Sequence, residues 1–268
     1  MRDEQEVRRL FVCPTCRAGN TTTRDAQRCF HPAAPLPWGQ VIDAVGDSAP
    51  AGSWGARAMQ SRWLARIYES WWRPIAFGLS TGWRMPTPQA EAALVLAKLE
   101  GTRGPWLDLS CGPGQVTRRL IAHAGDRLVV AVDLSRAMLA RVGVNAPRAV
   151  RVRADAASLP FVDAAFGAIV NLAALDLYAD AARAVAEAAR VLAPGGRWIG
   201  STFVSSGGSS DERARLGTPA ALWARAAGLR TPTEGALRAL VVRAGLVRFD
   251  SVRFGSYVVA WADKEPES

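Results

Sequence analysis

The sequence predicts an α/β protein with a doubly wound, mostly parallel sheet of seven strands. From residue 104 onward, short apolar segments bounded by Gly, Asp or Pro alternate with helical patterns. This alternation is typical of a parallel sheet covered by helices on both faces. A length of 268 residues with 49% apolar residues is enough for one full α/β domain and a small appendage. The 21% of charged residues excludes a disordered chain or a coiled coil.

The strands and helices follow each other in a regular order. The apolar segments predicted as parallel strands are WLDLS, RLVVAVD, AVRVRAD, FGAIVN and GRWIGSTF. Helical patterns occupy 114–124, 135–142, 179–192, 219–227 and 233–244. An earlier helix is predicted to begin with Thr87 as its N-cap and Pro88 at its first position. The last two strands, LVRFDSVRF and SYVVAWA, predict a hairpin at the sheet edge.

Two further segments precede the α/β domain. Residues 1–47 contain three of the four cysteines, and a linker rich in Pro, Gly and Ser follows at 47–53. Residues 54–85, which we call the Trp-rich segment, hold five of the ten tryptophans. We therefore divide the chain into a small N-terminal segment (1–47), a helical lid (54–85) and the main domain (86–268).

The net charge of +9 permits two interpretations. A basic surface would favour RNA as a partner. We favour a compositional bias instead, because only Lys98 and Lys264 among the 33 basic residues are lysines and the arginines form no basic stripe. The sequence also has no apolar run long enough to span a membrane and no signal peptide, so we expect a cytoplasmic protein without membrane contact.

A glycine turn after the first strand predicts a ligand site. In LDLSCGPGQVT the strand ends at Asp108, and Gly112 and Gly114 precede a helix whose free N–H groups suit a ligand. The GxGxxG pattern of dinucleotide sites and the P-loop lysine are both missing. Asp133 and Asp155 end the next two strands, and a carboxylate at Asp133 is placed to accept both hydroxyls of a ribose. One strand-end aspartate alone is more often merely solvated, but three beside a glycine turn favour a site.

These segments resemble class I S-adenosylmethionine-dependent methyltransferases over about 86–262. The resemblance rests on LDLSCGPG, VVAVDLSRAML, RADAASLPF and ARVLAPGGRWIGSTF. It implies a Rossmann-like methyltransferase fold and S-adenosylmethionine as the cofactor. The residues that it implies around the methionine end are Asp108, Ser110, Gly112, Gly114 and Asn171. Those that it implies around the adenosine are Asp133 for the ribose and Leu134, Met138, Asp155 and Ala156 for the adenine.

The sequence departs from the family's pattern at three places. Ser110 replaces the first glycine, Phe166-Gly167 replaces Phe-Asp, and Leu175-Asp176 replaces Leu-His. Asp176 is predicted to act as a base or to pair with a substrate cation. The alternative is a surface or capping aspartate before the helix at 179. Tyr178 is predicted to line the acceptor pocket, with packing under that helix as the alternative.

The N-terminal segment resembles the zinc ribbon that precedes the catalytic domain in some methyltransferases. Cys13 and Cys16, followed by Cys29 and His31, have ligand types that suit a structural zinc ion. A ribbon without metal is the alternative, because the spacing of the second pair is tighter than usual. The resemblance also places the closing strand of the ribbon at 41–45. In the Trp-rich segment, YESWWRP resembles the family's lid signature, and Tyr68 and Trp72 are the predicted acceptor contacts.

These features lead to one preferred function and two alternatives. We expect methyl transfer to the oxygen or carbon of a small, aromatic or polyketide-like acceptor in secondary metabolism, by a monomer or homodimer. Methylation of a ribosomal RNA base is the first alternative, since it fits the ribbon and the charge. The second is a protein that binds S-adenosylmethionine without methylating anything.

Overall fold

A computed structural model of the chain describes residues 4–12, 40–45, 84, 86–205 and 231–267. The helices in this part are Glu4–Arg9 (α1), Pro88–Leu99 (α2), Gln115–His123 (α3), Arg136–Asn145 (α4), Ala181–Val191 (α5) and Glu234–Arg243 (α6). The strands are Val41–Asp43 (β1), Trp106–Leu109 (β2), Val129–Asp133 (β3), Val150–Arg153 (β4), Phe166–Asn171 (β5), Leu192–Phe203 (β6), Leu246–Phe254 (β7) and Tyr257–Lys264 (β8). The predicted helix at 219–227 lies outside the described residues.

The strands form one sheet in the order β1-β4-β3-β2-β5-β6-β8-β7. Strands β1 to β6 are parallel, and β8 runs antiparallel to both β6 and β7. The mostly parallel sheet and its terminal hairpin are thereby confirmed. Because the chain moves outward from β2 to β4 and then returns to β5 on the other side of β2, the strand order reverses between β2 and β5. Ligands of doubly wound sheets bind at such a reversal, beyond the carboxyl ends of the strands.

Both faces of the sheet are buried. Val129 and Val130, which are successive residues of β3, belong to two different hydrophobic clusters because side chains alternate across a strand. One cluster includes Phe166 and Trp198, and the other includes Leu99. The helices therefore pack on both faces, as the alternating pattern predicts.

An eighth strand, β1, extends the sheet beyond the seven predicted. Val41–Asp43 pairs in parallel with Val150–Arg153, and the Asp43 carboxylate accepts a hydrogen bond from the Arg153 guanidinium at 3.1 Å. The ribbon resemblance places a closing strand here, and within the described residues its partner is the main sheet. Phe11 also contacts Phe161 of the main domain, with 5.2 Å between ring centroids. The described parts of the N-terminal segment thus pack directly on the α/β domain.

Side chains cap most of the helices that surround the site. Thr87 accepts a hydrogen bond from the N–H of Ala90, and Pro88 is the first helical residue, as predicted. Ser135 and Asp180 cap α4 and α5 in the same way. Helix α3 differs, since it begins after Gly114, which has no side chain to cap it. The N-terminus of α3 therefore presents backbone N–H groups at the switch point.

Gly167, which stands where the family has Asp, is required by a close approach of the backbone. Its N–H donates to the carbonyl of Pro105 at 2.9 Å. A Cβ at this position would lie 1.3 Å from the carbonyl oxygen of Arg103. The segment that leads into β2 therefore occupies the space where any side chain of residue 167 would begin.

We expect Gly167→Ala to lower the free energy of unfolding by about 3 kcal/mol, because backbone atoms would have to move to admit the methyl group. Urea denaturation monitored by circular dichroism measures this change. Gly235→Ala is the matched control, since a Cβ there meets only the Thr233 hydroxyl oxygen at 4.0 Å. The control should be neutral or slightly stabilising, because alanine favours a helix over glycine. Equal stability of the two variants would contradict the account.

Candidate functional site

The turn between β2 and α3 combines an open side with a closely packed side. Gly112 and Gly114 have positive φ angles of 54° and 90°. A Cβ at Gly112 would meet no atom of the described residues within 4 Å, so this side of the backbone is open within that part of the chain. A Cβ at Gly114 would lie 3.1 Å from Val142 of α4, which leaves no room for a larger residue. One glycine therefore leaves room for a ligand and the other allows a helix to approach.

Asp133, at the end of β3, is held by two backbone N–H groups. Gly112 donates to Oδ2 at 2.9 Å, and Ser135 donates to Oδ1 at 2.8 Å. Burial raises the pKa of this carboxyl group, and the hydrogen bonds from Ser135 and Gly112, together with the nearby N–H of Leu134, oppose the rise. An ionised carboxylate has about four acceptor positions, so each oxygen can accept one more hydrogen bond. The group can therefore accept both hydroxyls of a vicinal diol.

The residues predicted to contact adenine follow two neighbouring strands. Leu134 and Met138 come after β3, with Leu134 half-buried and Met138 buried in the first turn of α4. Asp155 and Ala156 come after β4, where Asp155 Oδ1 accepts a hydrogen bond from the N–H of Ala157 at 2.9 Å. Since β3 and β4 are paired in register, the structure brings the four residues to the same end of the sheet. Their contacts with adenine stay a prediction.

Asp108, at the end of β2, forms a hydrogen bond inside the protein. Its Oδ2 accepts from the Thr117 hydroxyl at 2.5 Å, and the residue is 2% exposed. Burial raises the pKa of Asp108 to about 7, the negative charge of Asp133 adds to the rise, and the hydrogen bond from Thr117 opposes it. The pair joins the end of the strand to α3. Thr117 was not among the predicted residues, although its place three residues after the second glycine is a signal that sequence reasoning could have used.

Asp176, after β5, is a buried carboxyl group with an unused oxygen. The residue is 6% exposed, and Oδ1 has no hydrogen-bond partner in the part of the chain that the structure describes. Burial raises its pKa to about 6, while its own backbone N–H and the Thr202 hydroxyl oppose the rise. The alternative of a surface or capping residue is wrong, because Asp180 is the residue that caps α5, by accepting from the N–H of Arg183 at 2.9 Å.

Tyr178 and Asn171 lie beside the glycine turn. The Tyr178 hydroxyl is 2.7 Å from the Ser110 hydroxyl. The Asn171 amide donates a hydrogen bond to the Tyr178 hydroxyl at 2.8 Å. Burial raises the pKa of the Tyr178 phenol, its two hydrogen bonds oppose the rise, and the charges of Asp133 and Asp155 add to it. Asp133 and Asp155 therefore lie close enough to Tyr178 to act on its phenol. The structure thus brings residues from the ends of β2, β3, β4 and β5 to one region.

Several predicted residues lie outside the described part of the chain. These are Cys13, Cys16, Cys29 and His31, predicted as zinc ligands, and Tyr68 and Trp72, predicted as acceptor contacts. Among the residues that the structure describes, no three His, Cys, Asp or Glu side chains are grouped to hold a metal ion. None of the described helices has the length and apolar character needed to cross a bilayer.

Comparison with known proteins gives a family match and curated relatives. A family model described as a methyltransferase domain matches residues 107–200. The uncharacterized chloroplastic methyltransferase At1g78140 of Arabidopsis thaliana is 30% identical over 207 residues, which cover 71% of this chain and 58% of the relative. A demethylmenaquinone methyltransferase of Thermus thermophilus is 36% identical over 140 residues, covering 51% of this chain and 60% of the relative. The chain thus spans about 60% of the length of each of these two relatives.

Solved structures share the fold at low sequence identity. The [4+2]-cyclase SpnF superposes with a TM-score of 0.55 and 18% identity, covering 82% of this chain and 99% of the cyclase. Geranyl diphosphate C-methyltransferase of Streptomyces coelicolor A3(2), solved with S-adenosyl-L-homocysteine, gives a TM-score of 0.54 and 19% identity, covering 66% and 76% of the two chains.

At these identities, the likeness to solved structures concerns the fold alone. The family model adds the evidence of sequence, and its match to 107–200 contains the glycine turn and strands β3, β4 and β5. Residues 107–200 therefore match a methyltransferase domain, and they lie in a sheet that has the fold of solved methyltransferases.

Proposed function

We propose that the chain transfers a methyl group from S-adenosylmethionine to a small-molecule acceptor. The observation that carries the proposal is the Asp133 carboxylate, which keeps two acceptor positions beside the open side of the glycine turn. A ribose offers two neighbouring hydroxyls to such a group. The residues present therefore fit the adenosine part of this cofactor.

The remaining residues fit the other parts of the same ligand. Leu134 and Met138 offer apolar surface for a flat ring, and Asp155 offers a carboxylate for an amino group. The turn at Ser110 and Gly112 would hold the methionine end. When bound, S-adenosylmethionine supplies an electrophilic methyl group, and S-adenosylhomocysteine is the product. Exclusion of water and alignment of the acceptor are then the main tasks of the protein.

Asp176 is the residue that we propose as the base. Its Oδ1 has no partner within the described residues, so it can accept the proton that an acceptor hydroxyl loses as the new oxygen–carbon bond forms. With its pKa raised to about 6, the carboxyl group is ionised at neutral pH and still more basic than an exposed aspartate. This assignment favours O-methylation over C-methylation among the acceptors considered.

The charge of the site favours a small molecule over RNA. Asp108, Asp133, Asp155 and Asp176 are all acidic, and an anionic phosphate backbone would be repelled by their ionised forms. Six of the 33 basic residues are arginines that pair with carboxylates in the described part of the chain. These arginines are Arg136, Arg153, Arg190, Arg197, Arg248 and Arg253. A zinc ion in residues 1–47, acceptor contacts in the Trp-rich segment and a cytoplasmic location stay inferences from sequence.

Asp133→Ala should weaken binding of S-adenosylhomocysteine at least about tenfold, because the variant loses a charged hydrogen-bond acceptor. Isothermal titration calorimetry of the full chain measures the affinity. Asp126→Ala is the control, since Asp126 is exposed in the turn after α3 and should bind like the parent. Failure of the parent to bind would refute the cofactor assignment, and equal affinities for parent and Asp133→Ala would refute the role of Asp133.

Asp176→Asn should stabilise the fold at pH 8 relative to the parent and not at pH 4. The raised pKa means that the folded chain favours the protonated form of Asp176. The stability that this protonation contributes is complete below the ordinary aspartate pKa of 3.8 and is lost as the pH rises through about 6. Asparagine does not ionise and avoids this loss, which we expect to reach about 3 kcal/mol. Denaturant unfolding at both pH values measures the difference.

Asp180→Asn provides the control for this pH dependence. It replaces the exposed N-cap of α5 with another good capping residue, so the gain seen with Asp176→Asn at pH 8 should be much smaller. A gain that is as large at pH 4 as at pH 8 for Asp176→Asn would show that ionisation of Asp176 does not cause it.

Incubation with methyl-labelled S-adenosylmethionine, in parallel with metabolite extract and with ribosomal RNA, should label small molecules. Asp176→Asn should reduce labelling of a hydroxyl acceptor at least about 100-fold, the lower range for loss of a general base. Label confined to RNA, with steep loss of RNA binding as salt rises, would support the RNA alternative instead. Binding of S-adenosylhomocysteine without any labelled product would support the non-methylating alternative.

A further inference from the structure

Three side chains join the ends of β2 and β5. The hydroxyls of Ser110 and Tyr178 are 2.7 Å apart. The Asn171 amide nitrogen donates to the Tyr178 hydroxyl at 2.8 Å and to the carbonyl of Leu109 at 2.8 Å. Ser110 lies in the turn that we assign to the cofactor, whereas Tyr178 lies in the loop that follows Asp176. The group therefore links the cofactor turn to the proposed base loop.

The chemistry of the group fixes the direction of the two hydrogen bonds of Asn171 and favours one direction between the two hydroxyls. The Leu109 carbonyl can only accept a hydrogen bond, so the Asn171 atom beside it must be the amide nitrogen. Both hydrogens of this nitrogen are then used, one by the Leu109 carbonyl and the other by the Tyr178 hydroxyl. Either of the two hydroxyls, that of Ser110 or that of Tyr178, can be the donor in their contact. The phenol is the stronger acid, which favours donation from Tyr178 to the Ser110 oxygen. In that arrangement the Ser110 hydroxyl proton is left over for a ligand.

The backbone of Ser110 adds a second, independent observation. Its φ angle is +58°, in the left-handed region that a residue with a Cβ adopts only at a cost in energy. Glycine would adopt the same angle without this cost. A serine here is thus less favourable for the backbone than glycine, and its hydroxyl is held by a specific partner.

We propose that Tyr178 is a positioning residue that holds the Ser110 hydroxyl so that its proton is donated to the carboxylate of the cofactor's methionine end. The inference rests on the proposed function, because it presupposes that this turn holds S-adenosylmethionine. A carboxylate accepts a hydroxyl proton, and the ammonium group at the same end of the ligand cannot. The role differs from the acceptor contact that the sequence predicts for Tyr178.

The test is a double-mutant cycle read by binding. Isothermal titration calorimetry compares the parent, Tyr178→Phe, Ser110→Gly and the double variant, with S-adenosylhomocysteine as the ligand. Tyr178→Phe should weaken binding about 5- to 10-fold in the parent, as loss of an oriented hydrogen bond to a charged group does. In the Ser110→Gly background the same change should cost less than about twofold, because the hydroxyl that Tyr178 orients is gone.

A second ligand separates this role from a structural one. Methylthioadenosine shares the adenosine part and lacks the amino-acid end, so Tyr178→Phe should leave its affinity within about twofold of the parent. Equal weakening of both ligands would show that Tyr178 supports the fold of the site in general and would overturn the proposal. The proposal would also be overturned if Tyr178→Phe weakened binding of S-adenosylhomocysteine equally in the parent and in Ser110→Gly, or did not weaken it at all.

Two outcomes keep the proposal distinct from the function on which it rests. If the parent binds neither ligand, the cofactor assignment itself fails. If the parent binds S-adenosylhomocysteine and the cycle shows no coupling, only the role of Tyr178 fails. Should Tyr178→Phe not fold, Ser110→Gly alone decides, because it should weaken S-adenosylhomocysteine and spare methylthioadenosine.

Discussion

The hydrogen bonds of the Asp133 carboxylate are the interaction on which the rest of the site depends. By accepting the N–H groups of Gly112 and Ser135, this side chain ties the glycine turn after β2 to the first residues of α4. The turn has positive φ angles, and its Gly114 lies against α4. Contacts with other parts of the chain are therefore needed to stabilise this conformation. The same carboxylate keeps acceptor positions for a ligand, and structure and binding therefore share one group.

The charge at this end of the sheet is opposite to that of the whole chain. The protein has a net charge of +9, yet acidic residues follow four adjacent parallel strands. Burial raises the pKa values of Asp108, Asp133 and Asp176, so each is costly to ionise on its own. A nearby positive charge favours the ionised form and offsets this cost. The site is thus suited to a cationic ligand such as a sulfonium compound.

Local sequence patterns predicted the helices and strands. The pairing of β1 and the contact of Ser110 with Tyr178 were not predicted, because they join residues that are far apart in the sequence. Thr87 with Pro88 marked the start of a helix, and the alternation of strands and helices marked a mostly parallel sheet. The pairing of β1 depends on the contact of Asp43 with Arg153, which are 110 residues apart. The contact of Ser110 with Tyr178 spans 68 residues. No periodicity encodes such pairs, since they arise only when the sheet is assembled.

At each place where the sequence departs from the family's pattern, the residue present fits the groups that surround it. Gly167 leaves room for the backbone of Arg103, the Ser110 hydroxyl contacts that of Tyr178, and Asp176 is enclosed with the Thr202 hydroxyl close by. A serine at a positive φ angle and a buried carboxylate with one oxygen unpartnered among the described residues each lower stability. Such costs are retained where function depends on them, so their presence at one end of the sheet supports the proposed site.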